Sequence, residues 1–231
     1  MSTVDGGHRF TLSSRSRLTV RDLPRFREGT LLHRIARVVA LAECLPRKEL
    51  FEAWEVARRV RRRFRGGRVV DLAAGHGLLA HLMLVLDDTS PTAVAVDRRI
   101  PPSAHKLTDA FAAEWPRLAG RVSLMEAEID AVALGPTDVV VSAHACGSLT
   151  DTVLARAVAA GARVAVLPCC HAKARSDSGG LDGWLDPALA IDVTRAARLR
   201  EQGYAIIAQR IPETITPKNR LLMGAPRRQR A

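Results

Sequence analysis

The chain has 231 residues, of which 47% are hydrophobic, and this is enough to build the core of one α/β domain but short for two full domains. No apolar run reaches the roughly 18 residues that a membrane-spanning helix needs, so the sequence argues against a membrane protein. The segment Met1–Arg21 is polar and lacks the apolar stretch of a secretory signal. Two of the four cysteines are neighbours, which suits a disulfide framework poorly, and we therefore expect reduced thiols and a cytoplasmic protein.

The net charge of +11 is concentrated at the two ends of the chain. Residues 1–68 carry 17 Lys and Arg against 7 Asp and Glu, whereas residues 69–216 carry 13 against 17. The segment from Pro217 onward adds 5 basic residues and no acidic one. Localised positive charge attracts phosphates over long distances, so we predict that these basic flanks bind RNA. The alternative is that the arginines are only solvated surface.

Two helices are predicted before residue 67, over Thr30–Leu45 and Arg47–Phe64. In the second helix, apolar residues recur every three or four positions, which is typical of a helix with one buried face. Its C-terminal end is crowded with arginines, among them Arg61, Arg62 and Arg63. The helix dipole favours cations in the last turn of a helix, but the number of arginines here exceeds what helix capping requires. We therefore predict that these three arginines bind substrate phosphates, and that residues 1–66 form a basic, helical N-terminal extension.

Residues 67–231 are predicted to form one α/β domain, because short β-branched runs alternate with helical stretches. The predicted strands are Arg68–Leu72, Thr92–Val96, Val122–Ala127, Asp138–Ser142, Arg163–Leu167, Tyr204–Arg210 and Arg220–Gly224. The predicted helices between them are Gly77–Leu86, Ser103–Leu118, Ser148–Ala160 and Pro187–Gln202. The last two strands are joined by too short a link for a crossover helix and should be antiparallel. The expected fold is a Rossmann-like, mostly parallel sheet of seven strands with an antiparallel last strand.

The clearest local signal is the run Val69–Gly77 (VVDLAAGHG), in which a strand passes through a turn of small residues into an apolar helix. A ligand that lies across the strand ends can approach the backbone only where side chains are small, and a helix N-terminus offers free N–H groups. We expect Ala73, Gly75 and Gly77 to provide this approach to a cofactor.

Acidic residues near this turn and after the next two strands suit a nucleoside. Asp97 ends the second strand, where a carboxylate can accept both hydroxyls of a ribose. Glu128, with Asp130 as an alternative, and Ile129 follow the third strand, where adenine would lie. The pyrophosphate pattern G-x-G-x-x-G is incomplete here, and Asp71 would repel a pyrophosphate yet suit the cationic methionyl end of S-adenosylmethionine. The residues thus favour S-adenosylmethionine, with an NAD-dependent oxidoreductase as the alternative.

The turn and the acidic positions resemble those of class I methyltransferases. Val69–Gly77 looks like the first motif of that class, and Asp97 and Glu128 fall where the class holds ribose and adenine. Ala73 departs from the motif, because the class usually has a glycine there. The resemblance implies S-adenosylmethionine as the cofactor and a methyltransferase as the activity.

A narrower resemblance rests on two further runs, Ser142–Asp151 (SAHACGSLTD) and Leu167–His171 (LPCCH). They are similar to a subfamily that includes the acceptor-stem tRNA ribose methyltransferase and related methyltransferase-like proteins. The zinc-binding N-terminal region of the tRNA enzyme is missing from this sequence. We also expect Ser142, at the start of the first run, to contact the cofactor.

Five residues with reactive or metal-binding side chains follow the fourth and fifth strands: His144, Cys146, Cys169, Cys170 and His171. Adjacent strand ends meet at the ligand-binding edge of an α/β sheet, so these side chains can converge. We expect His144, Cys146 and His171 to be catalytic, with one histidine taking a proton, and Cys169 and Cys170 to contact the substrate.

Other interpretations of these five residues stay open. They could bind zinc, although paired C-x-x-C spacing is missing. The cysteines could simply pack as small buried residues. Cys146 and Cys169 also stand where cytosine-5 RNA methyltransferases hold thiols, but without the Asp-Ala-Pro-Cys context of those enzymes.

Together, these patterns predict an S-adenosylmethionine-dependent methyltransferase that acts on RNA, either tRNA or rRNA. A small-molecule or protein methyltransferase and a non-catalytic nucleic-acid-binding module are the further alternatives.

Overall fold

The computed structural model describes residues 10–168, 170–171 and 176–227. Its strands are β1 (Val69–Leu72), β2 (Ala93–Asp97), β3 (Val122–Glu126), β4 (Val139–Ser142), β5 (Arg163–Val166), β6 (Tyr204–Arg210) and β7 (Arg220–Pro226). Its α-helices are α1 (Leu31–Ala42), α2 (Arg47–Arg61), α3 (Leu78–Val85), α4 (Ser103–Glu114), α5 (Ser148–Ala159) and α6 (Pro187–Glu201). Short 3-10 turns occupy Val20–Arg25, Pro116–Leu118 and Ile129–Ala131.

The seven strands form one sheet in the order β3-β2-β1-β4-β5-β7-β6. The first five strands are parallel, and β7 lies between β5 and β6 and runs antiparallel to both. The predicted Rossmann-like sheet is therefore confirmed, including the antiparallel last strand. We call the edge where β1 to β5 end the carboxyl edge, and the edge where they begin the amino edge.

Three predicted helices end three or four residues earlier than the sequence indicated, and one of them is the helix predicted over Arg47–Phe64, which stops at Arg61. The helix predicted over Ser103–Leu118 stops at Glu114, since Trp115 precedes a proline and takes φ −128° and ψ 85°, outside the helical region. The helix predicted over Thr30–Leu45 stops at Ala42, because Glu43 adopts a left-handed conformation with φ 51°. This early end leaves a short link between α1 and α2 at the carboxyl edge.

The two N-terminal helices pack against the α/β layers and share their hydrophobic core. α2 lies against α3, and α1 lies against α4. Leu50 and Val60 of α2 are fully buried in the same cluster as Leu82 of α3 and Val139 of β4. Because α2 leads directly into β1, its C-terminal end lies at the amino edge of the sheet and its N-terminal end at the carboxyl edge. No helix among the described residues has the length and apolar character to cross a membrane.

Candidate active site at the carboxyl edge

A cavity of about 1020 Å³ opens at the carboxyl edge, above the ends of β1, β2 and β4. Most of its wall comes from the loops that follow these strands, as expected for ligand sites in open α/β sheets. The start of α2 closes one side. The lining residues are Leu45, Glu49, Ala53, Asp71, Ala73, Ala74, Gly75, His76, Leu78, Leu79, Asp97, Arg98, Pro101, Glu128, Ile129, Ala143, His144, Cys146, Ser148, Leu149 and Thr152.

Asp71, near the end of β1, is the most deeply buried acidic group of this cavity. Its Oδ2 accepts a hydrogen bond of 3.2 Å from the N–H of Ala80, in the first turns of α3. Burial raises the pKa of Asp71 from 3.8 to about 8, and the charge of Asp97 adds to the increase, while the bond from Ala80 opposes it. Burying a carboxylate without a full set of partners is costly. The cavity therefore favours a ligand that brings positive charge to Asp71.

The turn after β1 brings backbone to the cavity wall, as its small residues predicted. Ala73 and Gly75 line the cavity, with φ of 57° and 55°. Gly77 caps α3 with φ 73° and does not line the cavity. A Cβ on Gly77 would lie 2.9 Å from Cβ of Ala95, so the residue allows the helix to pack on β2. Gly77 therefore contributes to a ligand site by allowing α3 to pack close to β2.

Ala73 stores local strain, because a left-handed conformation disfavours any residue with a Cβ by about 1–2 kcal/mol. We expect Ala73→Gly to raise the free energy of unfolding by about 0.5–1 kcal/mol after the extra unfolded-state entropy of glycine is subtracted. The neighbouring Ala74 has no positive φ, so Ala74→Gly is the matched control. This variant should lower the free energy of unfolding by a similar amount. Urea denaturation measures both, and equal destabilisation by the two variants would show that Ala73 carries no strain.

Asp97 and the loop after β3 form the next part of the wall. Oδ2 of Asp97 accepts a 2.9 Å hydrogen bond from the N–H of Gly75, and Oδ1 accepts one of 3.3 Å from the N–H of Arg99. The carboxylate is therefore held in place and keeps lone pairs for further donors. Glu128 and Ile129 line the cavity beside it, the former exposed and the latter buried. Asp130, the alternative to Glu128, does not line the cavity.

The loop after β4 contributes His144 and Cys146 to the wall, so the structure brings these two predicted residues to the same cavity as Asp71. Ser142 does not line it. Its side chain is buried, and its Oγ accepts a 3.3 Å hydrogen bond from the N–H of Ala145. The hydroxyl of Ser142 thus helps to shape the loop, and the expected contact of Ser142 with the cofactor stays a prediction.

A buried arginine, Arg195, holds this loop in place through hydrogen bonds. Nε and Nη2 of Arg195 donate to the carboxylate of Asp151 at 2.7 and 2.9 Å, and Nη2 also donates to the carbonyl of Gly147 at 2.9 Å. Nη1 of Arg195 donates to Asp192 at 3.3 Å. Gly147 ends the loop that carries His144, so α5 and α6 together hold the loop through Arg195.

His171 belongs to this ion-pair network and not to the cavity wall. Its Nε2 lies 2.8 Å from Oδ1 of Asp192, and its side chain is 4% exposed. Burial alone would raise the pKa of Asp192, but the hydrogen bonds from His171 and Arg220 outweigh it and lower the pKa. In this structure the ring holds Asp192, and the catalytic role of His171 stays a prediction.

The comparisons with known proteins identify the family. The family model of a methyltransferase domain matches residues 48–177, more than half of the chain. The chain belongs to this methyltransferase family. The match begins within α2. It includes every residue that lines the cavity except Leu45. The search of curated proteins found no match.

Solved structures that resemble this methyltransferase share its fold at low sequence identity. An O-methyltransferase family protein from Burkholderia thailandensis superposes with a TM-score of 0.51 and 20% identity, covering 93% of this chain and 65% of that one. The pyocyanin biosynthetic protein PhzM superposes with a TM-score of 0.51 and 20% identity, covering 90% of this chain and 61% of that one. The B. subtilis tRNA methyltransferase TrmK superposes with a TM-score of 0.50 and 17% identity, covering 74% of this chain and 64% of that one. The chain thus spans less than two thirds of the length of each, and the likeness is one of fold.

Of the two cysteines after β5, the structure describes Cys170. Cys170 does not line the methyltransferase cavity; the Cys170 carbonyl accepts a 3.0 Å hydrogen bond from the N–H of Gly147, and Sγ lies 3.9 Å from Nζ of Lys218. The predicted substrate contact of Cys170 stays a prediction. Cys169 lies outside the described residues, so its predicted role stays a prediction. Among the described residues, no group of three or more His, Cys, Asp or Glu could hold a metal ion.

Arg61 is buried, which contradicts its predicted contact with substrate phosphates. Its guanidinium donates to the carbonyl of Met83 at 2.9 Å and to Ser90 Oγ at 2.8 Å, and it forms an ion pair with Asp87 at 3.1 Å. Burial lowers the pKa of Arg61 to about 10, and Asp87 opposes this. The sequence held a signal for this outcome, since Arg61 follows Ala57 by one helical turn and so falls on the apolar stripe.

Arg62 and Arg63 are exposed as expected, but they lie at the amino edge of the sheet. The N-terminal part of the same helix, through Glu49 and Ala53, lines the cavity at the carboxyl edge. About thirteen residues of helix at 1.5 Å each separate the two ends by roughly 20 Å. A phosphate held by Arg62 and Arg63 would therefore be remote from the cavity.

Most of the lining residues were not predicted as site residues, and Leu45, Glu49 and His76 are among them. The first two lie in the segment that was assigned to a separate extension, and nothing local indicates that they meet the turn after β1. His76 stands inside the glycine-rich turn, where it is the one large side chain of the run. Its Nε2 lies 2.9 Å from Ser103 Oγ, and burial lowers its pKa, which Glu49 opposes.

Proposed function

We propose that this methyltransferase uses S-adenosylmethionine and that it modifies RNA in the cytoplasm. The observation that supports the cofactor is the convergence of three carboxylates, those of Asp71, Asp97 and Glu128, on one cavity beside the turn after β1. They suit the three polar parts of the cofactor: its ammonium group, its ribose hydroxyls and its adenine amino group. A pyrophosphate beside these three carboxyl groups would meet like charge.

The space and the backbone at this turn also fit the cofactor. A Cβ built on Gly75 would meet no atom within 4 Å, so a ligand can lie directly against that backbone. The cavity volume of about 1020 Å³ is at the upper end of small-molecule sites, which leaves room for an acceptor beside the cofactor.

The cofactor supplies a methyl group that its sulfonium already activates. The protein residues then have to align the acceptor atom, keep water out and, for a hydroxyl acceptor, remove a proton. His144 lines the cavity and is half-buried, and its ring nitrogen is the group proposed to take that proton. Cys146, exposed on the same wall, is suited to contact the acceptor.

An RNA substrate is favoured by the net charge of +11, because a polyanion gains most from a basic protein. The tRNA methyltransferase among the structural neighbours is consistent with this proposal. Another of these structural neighbours, PhzM, is a biosynthetic protein, so a small-molecule acceptor stays the alternative.

Transfer of labelled methyl groups tests the whole proposal. The protein is incubated with S-adenosylmethionine that carries a labelled methyl group and with RNA, protein and metabolite fractions from the source cell. Label in RNA is the expected result, and label in metabolites or protein alone would overturn the RNA substrate. Calorimetry with S-adenosylhomocysteine and with NADH tests the cofactor, and binding of NADH alone would overturn the methyltransferase mechanism.

His144→Ala should lower kcat by about 100-fold, the smaller end of what a general base contributes, while the affinity for S-adenosylhomocysteine stays unchanged. His105→Ala is the matched control, because His105 is exposed on α4 and does not line the cavity. Kinetics of methyl transfer and calorimetry measure the two effects. Loss of cofactor binding or of folding in the His144 variant would show that this residue packs and does not catalyse.

A further inference from the structure

Four exposed cations surround one side of the cavity mouth, and we call them the basic rim: Arg17, Arg98, Arg99 and Lys106. Three chain segments bring them together, since the first lies in the N-terminal segment, two follow β2 and the last lies in α4. Their sequence spacing gives no hint of this grouping.

Arg17 reaches the mouth because the N-terminal segment pairs with the link between α1 and α2. The N–H of Leu18 donates to the carbonyl of Leu45 at 2.9 Å, and the N–H of Arg47 donates to the carbonyl of Ser16 at 3.0 Å. Leu45 lines the cavity. Arg17 therefore lies directly beside a residue of the cavity wall.

The other three rim cations are equally close to cavity residues. Arg98 lines the cavity itself, and Arg99 is bonded through its N–H to the carboxylate of Asp97. Lys106 lies one helical turn after Ser103, whose hydroxyl is 2.9 Å from the ring of His76. The rim thus extends from the end of β2 to the N-terminal segment.

The rim cations have no acidic partner, unlike about half of the arginines that the structure describes. Among the described residues, none of the four forms a salt bridge, whereas thirteen arginines in that part of the chain do; these are Arg25, Arg34, Arg47, Arg58, Arg59, Arg61, Arg65, Arg68, Arg117, Arg156, Arg195, Arg198 and Arg220. Unpaired surface cations are available to an external anion at no cost in broken ion pairs.

The acidic groups near the mouth are arranged differently. Glu49, Asp71 and Asp97 line the inside of the cavity, and Glu43 accepts a hydrogen bond from the N–H of Val20 at 3.2 Å. Acidic side chains therefore line the inside of the cavity, and the four rim cations lie at its mouth among exposed acidic residues that include Glu43 and Glu126.

We propose that the basic rim binds the phosphate backbone of the RNA substrate and so presents one nucleotide to the cavity. The proposal rests on the proposed function and changes the docking surface from the arginines at the end of α2 to the carboxyl edge. Several phosphates spaced along a strand can contact cations from three segments at once. A single small anion cannot, which is why the arrangement fits a nucleic acid.

Two triple variants with equal charge loss test this surface. The rim variant carries Arg17→Gln, Arg99→Gln and Lys106→Gln, and leaves Arg98 intact because it lines the cavity. The control variant carries Arg62→Gln, Arg63→Gln and Arg200→Gln. These three arginines are also exposed and form no ion pair within the described residues, but they lie at the amino edge.

The probe is a fluorescein-labelled single-stranded RNA, and fluorescence anisotropy gives its Kd at several salt concentrations. Each lost phosphate contact lowers the salt slope by about 0.7–1. We expect the rim variant to bind at least about tenfold more weakly with a slope lower by about 2–3, and the control variant to resemble the wild type. Equal losses in the two variants, an unchanged slope in the rim variant, or no RNA binding by the wild type would overturn the proposal.

S-adenosylhomocysteine affinity, measured on the same three proteins, separates the two proposals. If the wild type fails to bind it, the proposed cofactor is wrong whatever the RNA result. If all three proteins bind it equally and only the rim variant loses RNA, the basic rim is the docking surface. A rim variant that loses both ligands has a damaged cavity, and this would count against a surface role.

Discussion

Arg195→Gln should lower the free energy of unfolding by about 3 kcal/mol, which is at the lower end of the cost of breaking a buried ion pair. The guanidinium is 2% exposed and joins Asp151, Asp192 and the carbonyl of Gly147. The cost is not larger because Asp151 is 36% exposed and can regain water, and Asp192 keeps its bond from His171. Urea denaturation measures the change.

The same substitution should lower kcat by about tenfold while the affinity for S-adenosylhomocysteine stays within twofold, because a loosened loop misplaces His144 without touching the cofactor side. Arg195→Lys, which keeps the charge and one of the donors, should recover part of the loss. The split between kcat and cofactor affinity distinguishes positioning of the loop from general damage to the fold.

Arg198→Gln is the control for this experiment. Arg198 lies one turn further along the same helix, is 55% exposed and pairs with the exposed Asp177. Such surface pairs contribute about 0–1 kcal/mol, so the variant should differ little from the wild type in stability and in kcat. Equal effects of the two substitutions would contradict the assignment of Arg195 to the support of the loop.

Asp71→Asn should weaken binding of S-adenosylhomocysteine by at least about tenfold, since the loss of a hydrogen bond to a charged group costs about 1.5–3 kcal/mol. In the absence of ligand the same substitution should stabilise the fold at alkaline pH. Burial raises the pKa of Asp71 from 3.8 to about 8, so at high pH the native state must hold a poorly solvated carboxylate. Asparagine keeps an oxygen for the bond from Ala80 without that charge.

The raised pKa of Asp71 also sets the sign of the pH dependence. A carboxyl group whose folded-state pKa lies above its unfolded value of 3.8 stabilises the fold below about pH 4, and this stability is lost as the pH rises through about 8. The stability difference between Asp71→Asn and wild type should therefore grow from about pH 4 to about pH 8 and then level off. Denaturation curves at several pH values measure it, with the exposed Asp109→Asn as a control that should show no such trend.

Ligand binding should be coupled to the same proton. A ligand with an ammonium group favours the carboxylate, so at neutral pH its binding should release a proton from Asp71. Calorimetry in two buffers of different ionisation enthalpy counts that proton. The assignment of Asp71 to the cofactor would fail if the wild type releases no proton and Asp71→Asn binds S-adenosylhomocysteine as tightly.

Much of the cofactor side was predictable because its signals are local. Strand, turn and helix follow one another within Val69–Gly77, and parallel strands bring Asp97 and Glu128 to the same edge by rule. The prediction for His144 and Cys146 had the same basis, since both follow directly on β4. Ser142, one position earlier than these loop residues, is still part of β4 and is buried.

The prediction failed for Arg61 because the density of charge along a sequence does not show which way each side chain points. Arg61, Arg62 and Arg63 are adjacent in sequence, but successive residues of a helix point about 100° apart, and only the first meets Ser90 and Asp87. The distance between this end of α2 and the cavity could not be read from the sequence either, because it depends on which way the helix runs along the sheet.

By itself, the sequence determined the order of the strands and helices, the turn that approaches a ligand and the acidic residues beside it, because each depends on neighbours only a few positions apart. Only the tertiary structure decided which charged groups are free. It buried Arg61, Arg195 and His171 in ion pairs with carboxylates from distant segments, and it gathered Arg17 and Lys106 at the cavity mouth. The physical reason is that pairing, burial and distance between charges are set by contacts across the fold, and these long-range contacts leave no local pattern in the chain.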